Sequence, residues 1–310
     1  MEAIAVQGLT KRYGEVVAVD RISFSVGEGE LFGFLGPNGA GKTTTVRILT
    51  GIIRPDGGLA RIKGFPAGSL KAKQLAGVVP EMANPYNDLS GWENLMLMAS
   101  LYGVPRRAAS ARGERLLGDL GLLERKASPV RTYSKGMKQR LILAMALVSE
   151  PEVLFLDEPT SGLDVQSARL IRELLRGLKA QGKTIFLTTH DMDEANQLCD
   201  RVAIINKGRL VAIDPPAKLR LAASGLQSVE VSFAQADGLN PAELARLPGV
   251  SEVERVGDKC RLYTDDPGEL VVALVNYACS AGLKIVLLNT LAPSLEEAFL
   301  ALTEKEGSDG

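Results

Sequence analysis

Residues 36–43 have the sequence Gly-Pro-Asn-Gly-Ala-Gly-Lys-Thr, and this stretch decides the fold. It fits the pattern G-x-x-x-x-G-K-[ST] and lies between the apolar run Leu31–Leu35 and a helical pattern from about Gly41 to Thr50. Its glycines allow successive backbone N–H groups to converge on phosphate oxygens, and the helix N-terminus adds a partial positive charge. The sequence therefore predicts a strand, a phosphate-binding loop and a helix.

We expect this loop to hold a nucleoside triphosphate together with Mg²⁺. In such a loop Lys42 reaches the β- and γ-phosphates, and the Thr43 hydroxyl binds the metal ion. The residues predicted to contact the nucleotide are Gly36, Pro37, Asn38, Gly39, Ala40, Gly41, Lys42, Thr43 and Thr44. The complete motif in this setting disfavours the alternative, a glycine-rich turn without a ligand.

Two acidic residues follow the apolar run Val153–Leu156, which is typical of a parallel strand covered on both faces. At the end of such a strand Asp157 can hold the metal ion, and Glu158 can polarise water for in-line attack. Two acids can also cap a loop or a helix. The phosphate-binding loop in the same chain favours the catalytic interpretation.

The one histidine of the sequence, His190, follows the predicted strand Thr184–Thr189. A lone histidine is more often a surface or packing residue. However, the carboxyl ends of strands line the ligand crevice of an α/β sheet, and the runs that end at Leu35 and Leu156 reach the same edge. An imidazole there can bond the γ-phosphate or the attacking water.

Tyr13, in Lys-Arg-Tyr-Gly, is an aromatic residue upstream of the phosphate-binding loop. Aromatic faces stack on bases, so we predict that a loop tyrosine here covers the base of the nucleotide. A core or surface role for Tyr13 stays open at this point.

The length of the chain, 310 residues, predicts two domains. The step Asp214-Pro-Pro216 marks the boundary, because proline neither continues a sheet nor readily opens a helix. We predict an α/β domain over residues 1–216, with a helical subdomain at about 82–149. Residues 226–304 read strand–helix–strand–strand–helix–strand–helix, which resembles a split βαβ, ferredoxin-like unit.

Composition excludes several classes of protein. Thirty-six basic and thirty-seven acidic residues give a net charge of −1, which indicates no nucleic-acid partner. The longest apolar runs fall short of the ~18–20 residues that span a bilayer, so we do not expect the chain to cross a membrane by itself. The three cysteines, Cys199, Cys260 and Cys279, match no metal-ligand spacing and predict reduced, buried thiols of a cytosolic protein.

Taken together, the motifs resemble those of the nucleotide-binding subunit of an ATP-binding cassette (ABC) transporter, over about residues 3–216. Residues Tyr133–Arg140, Tyr-Ser-Lys-Gly-Met-Lys-Gln-Arg, stand in the place of the family's signature peptide. Ser161–Asp164 matches the D-loop, His190 the switch histidine, and Tyr13 the adenine-stacking aromatic residue. The resemblance implies a P-loop cassette with a mixed sheet, a helical subdomain, and Mg²⁺-dependent ATP hydrolysis coupled to transport.

The resemblance also implies roles for individual residues. Glu158 would be the general base, His190 would position the γ-phosphate, and Thr43 and Asp157 would bind Mg²⁺. Glu81 stands where the family usually has the glutamine of the Q-loop, and it would lie near the metal ion.

The signature peptide departs from the family pattern as well, because Lys135 and Met137 replace a glycine and a glutamine. Its physical task needs the hydroxyl of Ser134 and the backbone N–H groups around Gly136, which this chain keeps. We therefore expect Ser134 and Gly136 to contact ATP.

Glu81 and the altered signature peptide are both similar to the residues at these places in the prokaryotic drug- and sodium-exporter branch. In that branch the ATPase and the permease are separate chains. This resemblance implies an integral membrane permease that docks near Glu81–Leu101, export of an unidentified cargo, and a cytoplasmic position on the inner face of the cell membrane. It also implies a second ATP-binding subunit, identical or a paralogue, so that each Ser134 caps the ATP on the other chain's Lys42.

A soluble ABC-type ATPase that acts on ribosomes or DNA is the alternative function. The single phosphate-binding loop, the near-zero net charge and the lack of a heptad run disfavour it. The domain at 226–304 either only packs or dimerises, or it senses a small molecule, and the lack of a ligand motif favours the former.

Overall fold

The computed structural model describes residues 1–82, 84–222, 227–234, 241–291 and 293–305. The chain divides into two compact units, Met1–Pro216 and Ala217–Gly310. Residue 83 of the predicted helical subdomain lies outside the described residues, as do 226, 235–240 and 292 of the predicted accessory domain.

The first unit alternates strands and helices. In chain order its elements are β1 (Glu2–Tyr13), β2 (Val16–Gly27), β3 (Leu31–Leu35), α1 (Lys42–Leu49), β4 (Gly57–Ile62), β5 (Phe65–Pro66), α2 (Leu70–Leu75), β6 (Ala76–Val79), α3 (Gly91–Leu101), α4 (Arg106–Asp119), α5 (Lys135–Leu147), β7 (Val153–Asp157), α6 (Val165–Ala180), β8 (Thr184–Thr189), α7 (Met192–Leu198), β9 (Arg201–Asn206) and β10 (Arg209–Asp214). Helix α8 (Pro216–Ala222) follows at the boundary of the units.

Two sheets build this unit. The larger has the order β10-β9-β3-β8-β7-β6 and is parallel except for the pair β9–β10. The smaller has the order β2-β1-β4-β5 and is antiparallel. The register pairs Leu35 with Thr189 and Asp157 with Thr188, so the carboxyl ends of β3, β7 and β8 meet at one edge. The prediction of an α/β cassette with a mixed sheet is confirmed.

Aromatic side chains fill the core of the first unit. Phe32 and Phe34 on β3, Phe155 on β7 and Phe24 on β2 surround Phe186 on β8, with ring centroids 5.4–5.9 Å from its own. Because Phe24 belongs to the smaller sheet, the cluster joins the two sheets. Strands β3, β7 and β8 are buried along their whole length, which explains why they read as continuous apolar runs.

Side-chain caps begin the helices around the sheet edge. Ser90 and Glu93 form a capping box at α3. Ser134, Asp164 and Asp191 each accept a hydrogen bond from a backbone N–H in the first turn of α5, α6 and α7. These caps fix where the functional loops end.

The second unit contains β11 (Gln227–Phe233), α9 (Pro241–Leu244), β12 (Val250–Val256), β13 (Lys259–Thr264), α10 (Pro267–Ala281), β14 (Ile285–Leu291) and α11 (Leu295–Lys305). Its antiparallel sheet has the order β12-β13-β11-β14. Apolar side chains of β11 and β13, such as Val231 and Leu262, share a buried cluster with Leu270 and Leu274 of α10. This is the ferredoxin-like arrangement that the sequence predicts.

Several local expectations were wrong. The sequence also predicts short strands at Ala3–Val6 and Ile22–Val26, but the strands there are twelve residues long each, because they pair with one another along most of their length. Tyr13 does not lie in a loop but ends β1, paired with Val16. Cys199 and Cys260 are buried, but Cys279 is exposed. Within the described residues, no helix is both long enough and apolar enough to span a membrane.

Candidate active site

The loop between β3 and α1 is tightly enclosed by neighbouring backbone. A Cβ atom on Gly36 would lie 2.3 Å from the carbonyl oxygen of Ile205, and one on Gly41 would lie 2.4 Å from that of Ala18. Gly41 also has φ 108°, a conformation that favours glycine. Glycine is therefore required at both ends of the loop, for reasons of space as well as of phosphate binding.

Lys42 is the first residue of α1, and its side chain is 5% exposed. Its Nζ donates to the carbonyl oxygens of Gly36 and Pro37, over 2.7 and 3.1 Å. The same Nζ lies 3.2 Å from Oε1 of Glu158. These three contacts hold the ammonium group over the phosphate-binding loop.

Glu158 follows β7 and is held in place by Thr188 on the neighbouring strand β8. The Glu158 N–H lies 3.1 Å from both the carbonyl oxygen and the hydroxyl of Thr188. That hydroxyl donates to Oδ1 of Asp157 over 2.6 Å. Glu158 has φ 48°, which is strained for a residue with a side chain, and these bonds maintain it.

His190 lies directly after β8, where Nδ1 of its half-exposed ring is 2.9 Å from Oε2 of Glu158. The two carboxylate oxygens of Glu158 thus contact different partners, Lys42 on one side and His190 on the other. Three residues predicted as functional from distant parts of the sequence form one connected group.

A cavity of about 260 Å³ opens beside this group. It is lined by Ala18, Asn38, Gly39, Gly41, Lys42, Thr43, Thr44, Glu81 and Glu158. Glu81 reaches it from the segment after β6, so the structure brings the predicted Glu81 next to the loop. Gly36, Pro37 and Ala40 belong to the loop but do not line the cavity.

Other predicted residues lie elsewhere. Tyr13 is 48% exposed and Lys11 Nζ lies 5.7 Å from its ring centroid, but it does not line the cavity. Ser134 and Gly136 stand at the start of α5 and do not line this cavity. A second cavity of about 460 Å³ lies in front of α5, and Glu81 lines both cavities.

The oxygen donors at this edge suit Mg²⁺. The Thr43 hydroxyl and the carboxylates of Asp157 and Glu81 are hard ligands of the kind that Mg²⁺ prefers. In the described part of the chain, no three His, Cys, Asp or Glu side chains form a metal cluster by themselves. Mg²⁺ usually keeps several waters among its ligands and binds substrate phosphates as well.

Two carboxyl groups near the site have shifted pKa values. The backbone N–H of Ser167 donates to Asp164, which lowers the pKa of that carboxyl. Burial raises the pKa of Glu194 on α7, whose Oε1 accepts a 2.7 Å hydrogen bond from Thr160. Asp164 ends the segment between Glu158 and α6, and Glu194 bonds to Thr160 of the same segment.

Comparison with known proteins identifies the family. The ABC transporter family model matches residues 19–161. The Nod factor export ATP-binding protein I of Ralstonia nicotianae is 41% identical over 99% of this chain and 95% of its own length. The chain belongs to the ABC transporter family. The fluoroquinolones export ATP-binding protein of Mycobacterium tuberculosis is 46% identical over 78% of the chain and 80% of that protein.

Comparison with solved structures supports the same family. A solved ATP-binding subunit of an ABC transporter superposes with a TM-score of 0.66, at 30% identity over 71% of this chain and 92% of the other. As an ABC ATPase, the protein binds ATP with Mg²⁺ and hydrolyses ATP to power transport.

Sequence reasoning missed two groups that shape the site of this ABC ATPase. Thr188 bonds both acidic residues at the end of β7, and its signal was a polar residue near the end of a buried strand. Ala18, on β2, lines the cavity and supplies the carbonyl that excludes a side chain at Gly41. Nothing in the sequence around Ala18 indicated that role.

Proposed function

We propose that this ABC ATPase powers export through a separate integral membrane permease, from the cytoplasmic face of the cell membrane. The observation that carries the ATPase chemistry is the connected group of Lys42, Glu158 and His190 beside a complete phosphate-binding loop. The direction of transport is supported by relatives that are themselves named export ATP-binding proteins, at 41% and 46% identity. Those relatives do not favour the alternative of a soluble ATPase on ribosomes or DNA.

In this proposal Glu158 is the general base. Its carboxylate takes a proton from water, and His190 positions both that carboxylate and the γ-phosphate. Lys42 contacts the β- and γ-phosphates, with the loop residues Gly36–Thr44 around them. Mg²⁺, when bound, neutralises charge that develops on the phosphate oxygens, and Thr43, Asp157 and Glu81 hold it.

Tyr13 keeps its proposed role as the adenine-stacking residue. Its ring is nearly half exposed at the end of β1, so a base can approach one of its faces. The ammonium group of Lys11 already lies near this ring. The stacking energy expected for one base is ~1–3 kcal/mol.

We also propose that two ATP-binding subunits, two copies of this chain or this chain and a paralogue, close head to tail around ATP. Ser134 and Gly136 do not line the cavity of their own chain, which supports a role on the second subunit. The start of α5 would add N–H donors to the γ-phosphate and exclude water. In the hydrolysis-blocked variant Glu158→Gln, ATP should shift the protein to a dimer, and adding Ser134→Arg should abolish the shift.

The proposed permease surface lies after the Q-loop position. Met82 and Tyr86 are 75% and 61% exposed, and Leu97 and Leu101 of α3 are exposed as well. The sequence also predicts the apolar side chains of Pro85 and Leu95 on this surface, but both are buried.

Crosslinking from the surface tests this proposal. A photo-crosslinking residue at Tyr86 or Met82 should capture the permease in membranes that carry both subunits. The matched control is Leu70 on α2, which is 75% exposed and lies outside the proposed surface. Equal capture from Leu70, or capture of ribosomal proteins instead, would contradict the permease assignment.

The proposal assigns the ATPase to residues 1–216 and a packing or dimerising role to residues 226–304. Removal of the second unit should leave ATP binding unchanged if this division is correct. Loss of ATP binding on removal would instead place part of the nucleotide site beyond residue 216.

A further inference from the structure

The signature segment, residues 134–136, contacts the D-loop, residues 161–164, within one chain. Nζ of Lys135 donates to the carbonyl oxygen of Ser161 over 3.0 Å. Lys135 is the first residue of α5 and stands where the family has a glycine, so this contact is additional to the usual motif.

Glycines lie on both sides of the Lys135 contact. Gly162 has φ 63°, and a Cβ atom on it would lie 2.5 Å from Nζ of Lys135. On the other side, a Cβ atom on Gly136 would lie 2.3 Å from Oγ of Ser167 and 3.1 Å from Oδ2 of Asp164. The absence of side chains at Gly162 and Gly136 therefore allows the signature segment and the D-loop to lie close together.

The Lys135 ammonium group lies at an electrostatically unfavourable position. Lys135 is in the first turn of α5, where the helix dipole is positive and no acidic residue offsets it. A carbonyl acceptor favours the charged donor, since hydrogen bonds with an ionised donor are about twice as strong as neutral ones. The D-loop carbonyl thus compensates for a cation that the helix itself disfavours.

We propose that Lys135 is a positioning residue that fixes the D-loop to the signature segment, so that both present one rigid surface to the second ATP-binding subunit. This inference rests on the ATP-driven dimer of the proposed function. Because Lys135 does not line the cavity around Lys42, its loss should weaken closure of the dimer but not ATP binding to a single chain.

The test uses the Glu158→Gln background and sedimentation in saturating ATP. Adding Lys135→Met should raise the dimer dissociation constant roughly tenfold, because a D-loop that is not fixed in the free chain must be ordered when the dimer closes. Lys135→Arg, which keeps a cationic donor, should restore most of the affinity. The matched control is Lys138→Met on the same helix, because Lys138 Nζ bonds Asn87 and not the D-loop.

Each outcome decides the matter. An unchanged dimer constant in Lys135→Met, or an equal loss in Lys138→Met, would overturn the proposal. Reduced ATP affinity of the Lys135→Met monomer in calorimetry would also overturn it. If the parent Glu158→Gln protein does not dimerise with ATP, the proposed function fails instead. In that case hydrogen exchange at residues 161–164 of the monomer tests the role of Lys135. Lys135→Met should speed this exchange severalfold, and an unchanged rate would overturn the proposal.

Discussion

The carboxylate of Glu158 joins Lys42 to His190. Its Oε1 lies 3.2 Å from Lys42 Nζ, and its Oε2 lies 2.9 Å from His190 Nδ1. An ammonium group has three N–H donors, and two carbonyl oxygens of the loop already accept from Lys42. A bound phosphate must therefore compete with Glu158 for Lys42, which links nucleotide binding to release of the proposed base.

Replacing Glu158 by Gln should stop hydrolysis and leave ATP bound. The amide keeps the shape of the side chain but cannot take a proton from water, so the rate should fall ~10²–10⁴-fold. ATP affinity should be unchanged or higher, since Lys42 loses a competing carboxylate. Phosphate release and calorimetry measure the two effects, with the exposed Glu124→Gln as a control. Retained turnover would move the base elsewhere, and Glu81 would be the first candidate.

Replacing Lys42 by Ala should lower the affinity for ATP by at least about tenfold. The variant removes a buried cation that faces the triphosphate, whose contacts are charge-assisted hydrogen bonds. Calorimetric titration with ATP measures the loss, and Lys71→Ala on the exposed part of α2 is the control. Unchanged ATP binding in Lys42→Ala would overturn the assignment of the loop.

Replacing Glu81 tests its proposed place beside Mg²⁺. Glu81→Ala removes both oxygens, so the free Mg²⁺ concentration for half-maximal hydrolysis should rise severalfold. Glu81→Gln restores the glutamine that the family usually has and keeps one carbonyl oxygen, so its rise should be smaller. Hydrolysis rates across a Mg²⁺ series give both values. Curves that coincide with the parent protein would place Glu81 outside the metal shell.

Replacing Phe186 by Ala should destabilise the first unit by ~3–5 kcal/mol, because the ring is fully buried among four others. The one tryptophan of the chain, Trp92, lies in the first unit, so its fluorescence follows unfolding of that unit. Phe65→Ala is the control, since Phe65 is 40% exposed and should change stability by less than about 0.5 kcal/mol. Similar unfolding midpoints for both variants would mean that the ring cluster does not hold the sheets together.

The sequence by itself determined the cassette and most of its chemistry. Three short motifs lie beside buried strands: the phosphate-binding loop, the acidic pair Asp157 and Glu158, and His190. The function of each depends on the local shape of the backbone. Unbroken apolar runs also predict buried parallel strands. For these features the neighbouring residues in the chain carry nearly all of the information.

Only the tertiary structure decided how the motifs contact one another. Contacts between residues that are distant in the chain pair Glu158 with Lys42 and hold Glu158 in place through Thr188. Such contacts also bring Glu81 to the cavity and bury Leu95. Strand pairing sets such contacts, and the partner of a strand is chosen by packing across the whole sheet. No window of sequence around one residue contains that choice, because the burial of each side chain depends on which distant element covers it.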